Sequence, residues 1–165
     1  IIGRRSKGIQ PAGTYAKRIL NQLLIDLSYN SSRLEGNTYT LADTKRLIDA
    51  GRLAEGKDKE ETTMILNHRE AISFLVETAA TSGVSTFTIT NLHAALSTDL
   101  LPPRLCGKLR DEEVGISGTV YTPPRDGHLI RELFETLIAK ASAIADPFEQ
   151  SLFLLLHLPY LQPFE

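Results

Sequence analysis

Leu129-Ile130-Arg131-Glu132-Leu133-Phe134-Glu135-Thr136-Leu137-Ile138-Ala139-Lys140-Ala141 is the stretch whose reading decides the fold. Its apolar residues recur at three- and four-residue steps. A helix therefore gathers Leu129, Ile130, Leu133, Phe134, Leu137, Ile138 and Ala141 on one wide face and leaves Arg131, Glu132, Glu135 and Lys140 largely opposite. Such a face has to pack on a core.

Toward the C-terminus, Asp146-Pro147 opens a further helix that is apolar almost all round from Leu152 to Leu156. It is shorter than a membrane span and carries Gln150 and His157, so it is expected to be the buried central helix. Toward the N-terminus, the spacing of Tyr15, Ile19, Leu20, Leu23, Leu24 and Leu27 predicts a long amphipathic helix from Pro11 to about Gly36. Thr40 and Gly51 are placed to start and stop a short helix. Ile65, Ile72, Leu75, Val76 and Ala79 mark a third, ended by Gly83. Ser85 to Thr90 alternates like a strand, yet Thr90 or Asn91 can cap a helix through Leu92, Ala95 and Leu96; the helix is favoured. The clearest β signal is Val114 to Tyr121, where Ser117-Gly118 can make a tight hairpin turn before Pro123-Pro124 removes backbone donors. The expectation is a mainly α helical bundle with one small β-hairpin.

The 165 residues, 42% hydrophobic and 23% charged, suit one globular domain. A formal charge of −2 and a pI near 6.1 supply no basic field for bulk nucleic acid or an anionic membrane. The single Cys106 has neither a disulfide partner nor a zinc-like neighbour, which points to a reducing, cytoplasmic setting. His68, His93, His128 and His157 form no metal-ligand cluster in sequence and are assigned to packing or surface. Residues 1–10 form a basic segment that does not read as a true terminus.

Three segments carry a resemblance. Leu161-Gln162-Pro163-Phe164-Glu165, following an apolar helix, resembles the opening of the motif His-Pro-Phe-x-(Asp/Glu)-Gly-Asn-Gly-Arg-x-x-Arg of Fic proteins, of which the first four positions are present. Ser31-Ser32-Arg33-Leu34-Glu35-Gly36-Asn37 looks like the family's inhibitory motif, (Ser/Thr)-x-x-x-Glu-(Gly/Asn). Gly115 to Pro124 is similar to its β-hairpin flap and the Pro pair leading into the core helices. All three occur in the family's order and roughly its spacing, so residues 11–165 are read as a single Fic domain truncated inside the motif.

The resemblance implies transfer of AMP from ATP, with Mg²⁺, onto a hydroxyl side chain of a protein. A hydroxyl needs an acceptor for its proton, and the family's motif His is that base. Gln162 stands at its position here, and a carboxamide has no useful basicity. By the same resemblance Pro163, Phe164 and Glu165 continue the motif, while the magnesium ligand, phosphate turn and arginines would follow Glu165, leaving no metal ligand within the chain. Ser31, Glu35 and Gly36 take the inhibitory positions, with Glu35 pairing the second motif Arg; a carboxylate suits such a bidentate clamp. Thr119, Val120, Tyr121 and Thr122 offer the flap edge on which a target segment adds as a strand. A homodimer is compatible with this picture. Two other functions remain open: a nucleotide-binding regulatory module without transfer, and a helical interaction domain that binds no nucleotide.

Overall fold

The computed structural model describes residues 12–116 and 118–165, so the basic segment 1–10 and the expected helix start at Pro11 lie outside the described residues. Six helices follow one another: α1 (Ala12–Leu34), α2 (Leu41–Ala50), α3 (Lys59–Ser82), α4 (Thr86–Ser97), α5 (Gly127–Ala143) and α6 (Pro147–Leu161). Their starts are set by side chains that accept the otherwise orphaned N–H groups of a first turn. Thr40 accepts from Asp43, Asp58 from Glu61, and Asp126 from Leu129. Asp146 accepts from both Phe148 and Glu149, with Pro147 preset for the first helical position. The Thr40 hydroxyl also donates to Asp43, and together with Arg46 this holds the Asp43 carboxyl below the usual carboxylate range.

α1 packs on α2 and α3, α3 on α4, and α5 on α6. Tyr39, Leu47 and Ile65 form one core, with Ile48, Ala54 and Leu66 against it. The second gathers Phe134, Leu137, Ile138 and Leu161, joined by Ile89 from α4, Leu109 from the following loop and Phe164 from beyond α6. Removing an aromatic ring such as Phe134 fully from water is worth about 1.5–3 kcal/mol, so this second core fixes α5 and α6 to α4. Asn67 on α3 ties the layers together from the other side, donating to the carbonyls of Leu96 and Thr98 at the end of α4 at 2.9 and 2.7 Å.

The structure corrects three expectations. The favoured helix after Gly83 is present, but Ser85 rather than Thr90 or Asn91 caps it. The Ser85 hydroxyl accepts from the Thr88 N–H at 3.1 Å and Thr88 Oγ1 donates to the Gly83 carbonyl at 2.8 Å, so the polar half of the alternation serves the helix start.

Among the described residues there is no strand, and the expected hairpin over Val114 to Tyr121 is not formed. An isolated two-stranded ribbon is marginal in water, and here Val120 is fully exposed with nothing to pair against. The loop is closed at its base instead, by Arg125 with Glu113 at 3.1 Å and by Tyr121, whose hydroxyl donates to the Tyr160 carbonyl at 2.8 Å.

Nor is α6 a buried central helix. Phe153, Leu154, Leu158 and Leu161 face the second core, whereas Phe148 and Leu155 are 84% and 70% exposed, because among the described residues only one side of α6 is covered.

The loop after α4 returns against that helix at Gly107, where φ is +72°; an added methyl would lie 2.8 Å from the Thr90 carbonyl oxygen and 3.0 Å from Ala94 Cβ. Gly107→Ala is expected to lower stability by about 1–3 kcal/mol. Urea denaturation measures this, and an unchanged midpoint would show that the loop yields freely.

Candidate functional site

The C-terminal end of α6 is where the segment Gln162 to Glu165 begins, and its geometry is set by the backbone. Gln162 is left-handed, with φ 45° and ψ 62°, and its N–H donates to the Leu158 carbonyl at 2.9 Å. A non-glycine residue there costs roughly 1–2 kcal/mol, so neighbours must hold it. Arg110 does so. Its side chain is buried and its Nε donates to the Gln162 carbonyl, its Nη2 to those of Leu161 and Pro124 at 3.2 and 2.8 Å, and its Nη1 to that of Glu112 at 2.7 Å. The Arg110 N–H adds a bond to the Pro163 carbonyl at 3.0 Å. The last carbonyls of a helix carry the negative end of its dipole, which suits a guanidinium. Burial pushes the proton affinity of Arg110 down, while Glu165 and Tyr121 act in the opposite sense. Arg110→Met would strand several carbonyls and is expected to cost roughly 3 kcal/mol in urea unfolding; a loss below a tenth of that would show the clasp to be dispensable.

Phe164 is held by aromatic contacts on both sides. It meets Phe134 edge to face at 5.8 Å and stacks on His93 at 4.3 Å, with the two ring planes 9° apart. The Gly107 N–H donates to His93 Nδ1 at 3.0 Å, so the proton of the neutral ring sits on Nε2, which donates to the Glu165 carbonyl at 3.3 Å. Burial lowers the His93 pKa below the ordinary imidazole value, with the Glu165 bond acting the other way. The unfolded chain therefore binds this proton more readily than the folded one. Stability is full above about pH 6.5 and falls as pH drops through the ordinary imidazole range. Melting curves at pH 7.5 and 5.5 are expected to show a smaller pH-dependent loss in His93→Gln than in the parent; equal losses would mean the ring is not titrating against its fold.

The inhibitory-like segment sits at the end of α1, against α3. Ser32 is buried with Oγ 3.3 Å from His68 Nδ1, and Glu35 Oε1 lies 3.4 Å from His68 Nε2. Gly36 turns the chain at φ +93°, and Asn37 donates to the Glu61 carbonyl at 2.7 Å while accepting from the Tyr39 N–H at 2.9 Å. The Glu61 carboxylate receives the Thr38 hydroxyl and N–H, contacts that hold its pKa below the usual carboxylate range. Ser31 and Glu35, with His68 and Leu92, border a hollow of about 370 Å³ between α1, α3 and α4.

No protein-family model matches the chain. Over 158 residues it is 26% identical to the protein adenylyltransferase Fic of Nematostella vectensis, which it matches over 93% of its own length and 37% of that protein's. Its fold superposes on the crystal structure of a Fic domain containing signaling protein from Bacteroides thetaiotaomicron VPI-5482 with a TM-score of 0.77, covering 96% of this chain and 62% of that one at 19% identity. The chain therefore has the fold of a Fic domain and is similar in sequence to a Fic protein. It spans less than two thirds of either relative's length.

Within the Fic fold, the motif-like and flap-like segments come together. Tyr121 and Tyr160 meet edge to face at 5.3 Å, and Thr119, Val120 and Thr122 are exposed beside them. Gln162 does not point at the flap; its Nε2 donates to the Pro159 carbonyl at 3.0 Å. Among the described residues no hydrogen bond or ion pair joins Glu35 to Gln162. α4 lies between them, with Leu92 on the Glu35 hollow and His93 on Phe164. Asp111, Glu112 and Glu165 place carboxylate oxygens within 4.8 Å of one another. Oxygen donors suit a hard cation, but all three are exposed and Arg110 already supplies positive charge beside Glu165, so they do not form a ready magnesium cage. Arg110, His68 and His93 are the residues that sequence alone did not single out for this region. Only the tertiary partners of each reveal its part.

Proposed function

We propose that this chain is the Fic-type domain of a protein adenylyltransferase, which transfers AMP from ATP to a hydroxyl side chain of a protein and is autoinhibited by Glu35. The observation that carries the proposal is the left-handed turn at Gln162 leading into Pro163-Phe164-Glu165 at the end of α6, locked by Arg110, in a chain of the Fic fold. The identity with a protein adenylyltransferase supports the reaction class.

In this reading the target lies along Thr119 to Thr122, whose backbone has no ladder partner among the described residues; the Tyr121 N–H now donates to Thr119 Oγ1 at 3.1 Å and would turn to the target on strand addition. Tyr121 keeps that segment against α6. The target hydroxyl attacks the α-phosphorus of ATP, its proton passes to solvent water, and pyrophosphate departs from the same phosphorus. Gln162 Nε2 is committed to Pro159, so its Oε1 is free to accept from the hydroxyl and orient it without taking the proton. Mg²⁺, held by the remainder of the motif, would neutralise phosphate charge. Glu35 would clamp a motif arginine and so block the productive placement of the γ-phosphate. Cys106 as the single cysteine fits a cytoplasmic protein, and among the described residues no helix is long and apolar enough to cross a membrane.

Gln162 also favours a second reading, a regulatory module that binds the nucleotide without transfer. Labelled ATP and Mg²⁺ with the full-length protein separate the two. Glu35→Gly is expected to raise transfer over the parent, and Gln162→His to raise it by about 10²- to 10⁴-fold. Calorimetric ATP binding with no label transferred even by Gln162→His would establish the second reading, and silent titrations would overturn both.

A further inference from the structure

A groove of about 310 Å³ runs between α5 and α6 beside the loop that carries Tyr121, a size at the lower end of small-ligand pockets. Its floor is apolar, from Leu137, Phe153 and Leu161, and the rings of Tyr121 and Tyr160, edge to face, border it on the loop side. Such a surface suits a further aromatic ring, which gains both burial and ring contacts.

Two polar side chains border this floor. His157 stacks on Phe153 at 4.0 Å, and its Nδ1 lies 2.7 Å from the Phe153 carbonyl, a group that only accepts, so Nδ1 carries the proton of the neutral ring. Nε2 is left with a lone pair and, among the described residues, no donor. Lys140, on the α5 side, is the one lysine, arginine or carboxylate that borders the groove, and among the described residues it forms no ion pair. The groove therefore offers an acceptor and a cationic donor over an apolar floor. A phenol matches all three: its ring covers the floor, its O–H donates to Nε2 and its oxygen accepts from Lys140. A carboxylate would satisfy Lys140 but set its charge against the Nε2 lone pair, and an aliphatic side chain would leave both groups without a partner.

The loop itself indicates where the phenol comes from. Directly opposed residues of a strand pair keep their side chains on one face, and their neighbours along the strand point the other way. The Tyr121 side chain borders the groove, so a strand added along Thr119 to Thr122 sets the residue opposite Tyr121 over the groove as well. The phenol held there is distinct from the hydroxyl that reacts, since His157 stands more than one helical turn before Gln162.

We propose that this groove is a recognition pocket for a tyrosine of the target segment, the residue paired with Tyr121, and that it selects which protein is modified. This rests on the reading of Thr119 to Thr122 as the docking edge given above.

The test titrates the full-length protein with N-acetyl-tyrosinamide, N-acetyl-phenylalaninamide and N-acetyl-alaninamide, and with short threonine–valine peptides carrying the same three residues at their centre, followed by backbone-amide NMR. In both series tyrosine is expected to bind about fivefold more tightly than phenylalanine, the worth of a hydrogen bond, and at least about tenfold more tightly than alanine. The signals that move should include Thr136, Lys140 and Tyr160. The peptides are expected to bind more tightly than the amides and to move Thr119 to Thr122 as well. His157→Phe combined with Lys140→Met should keep the phenylalanine affinity and erase the preference for tyrosine. Peptides that bind alike whatever their central residue, or a tyrosine preference that survives in the double variant, overturn the inference alone. Amides that order as expected while the peptides bind no more tightly overturn the docking edge, and the assignment to the target with it. No binding by any probe overturns both.

Discussion

A buried guanidinium is tolerated where its N–H groups find acceptors, and Arg110 finds them in four carbonyls that belong to three segments of chain. Leu161 and Gln162 end α6, Glu112 enters the loop that carries Tyr121, and Pro124 leaves it. The same side chain therefore fixes the left-handed turn after α6 and both ends of the loop beside it. Without that contact the Gln162 conformation would have little to offset its strain, and the base of the loop would rest on Tyr121 and the exposed Glu113 with Arg125. Phe164 can reach Phe134 and His93 only because the turn aims it back into the second core.

α4 is the plate between the hollow beside Glu35 and the turn after α6. Ile89 and His93 face the core that holds Phe164, while Leu92 and Leu96 border the hollow beside Glu35. Asn67 fastens the end of this helix to α3, and Gly107 lets the following loop come close enough to donate to His93. A shift of α4 would be felt at both Glu35 and Phe164. Such a shift is costly, because a close-packed helix surface resists small displacements.

Much of the fold was legible because caps and periodicity are local. Thr40, Gly51 and Asp146-Pro147 act where they stand, and the face of α5 needed only its own spacing. The errors arose where the deciding partner is distant or missing from view. Ser117-Gly118 advertises a turn, yet whether two arms pair depends on what supports them. All-round apolarity in α6 reports side-chain type and says nothing of which faces are covered. The strand-like alternation after Gly83 concealed a cap at Ser85. Arg110 could not be found at all, since its acceptors at Leu161 and Gln162 lie about fifty residues on, and a carbonyl has no sequence signature. His68 and His93 were read as packing or surface, and packing is part of what each does; their contacts to Glu35 and Glu165 appear only once α1, α3, α4 and α6 are assembled.

The turn after α6 is held almost wholly through main-chain groups: Arg110 grips carbonyls, and the Gln162 N–H reaches Leu158. The Gln162 side chain adds one bond, to Pro159. Any residue that tolerates the left-handed conformation would be carried at that position in much the same way, a base included. The fold therefore scarcely depends on the side chain at residue 162. On the proposed reading, a domain of this shape keeps its turn, its contact to Tyr121 and its core whichever residue at that position sets the proton chemistry.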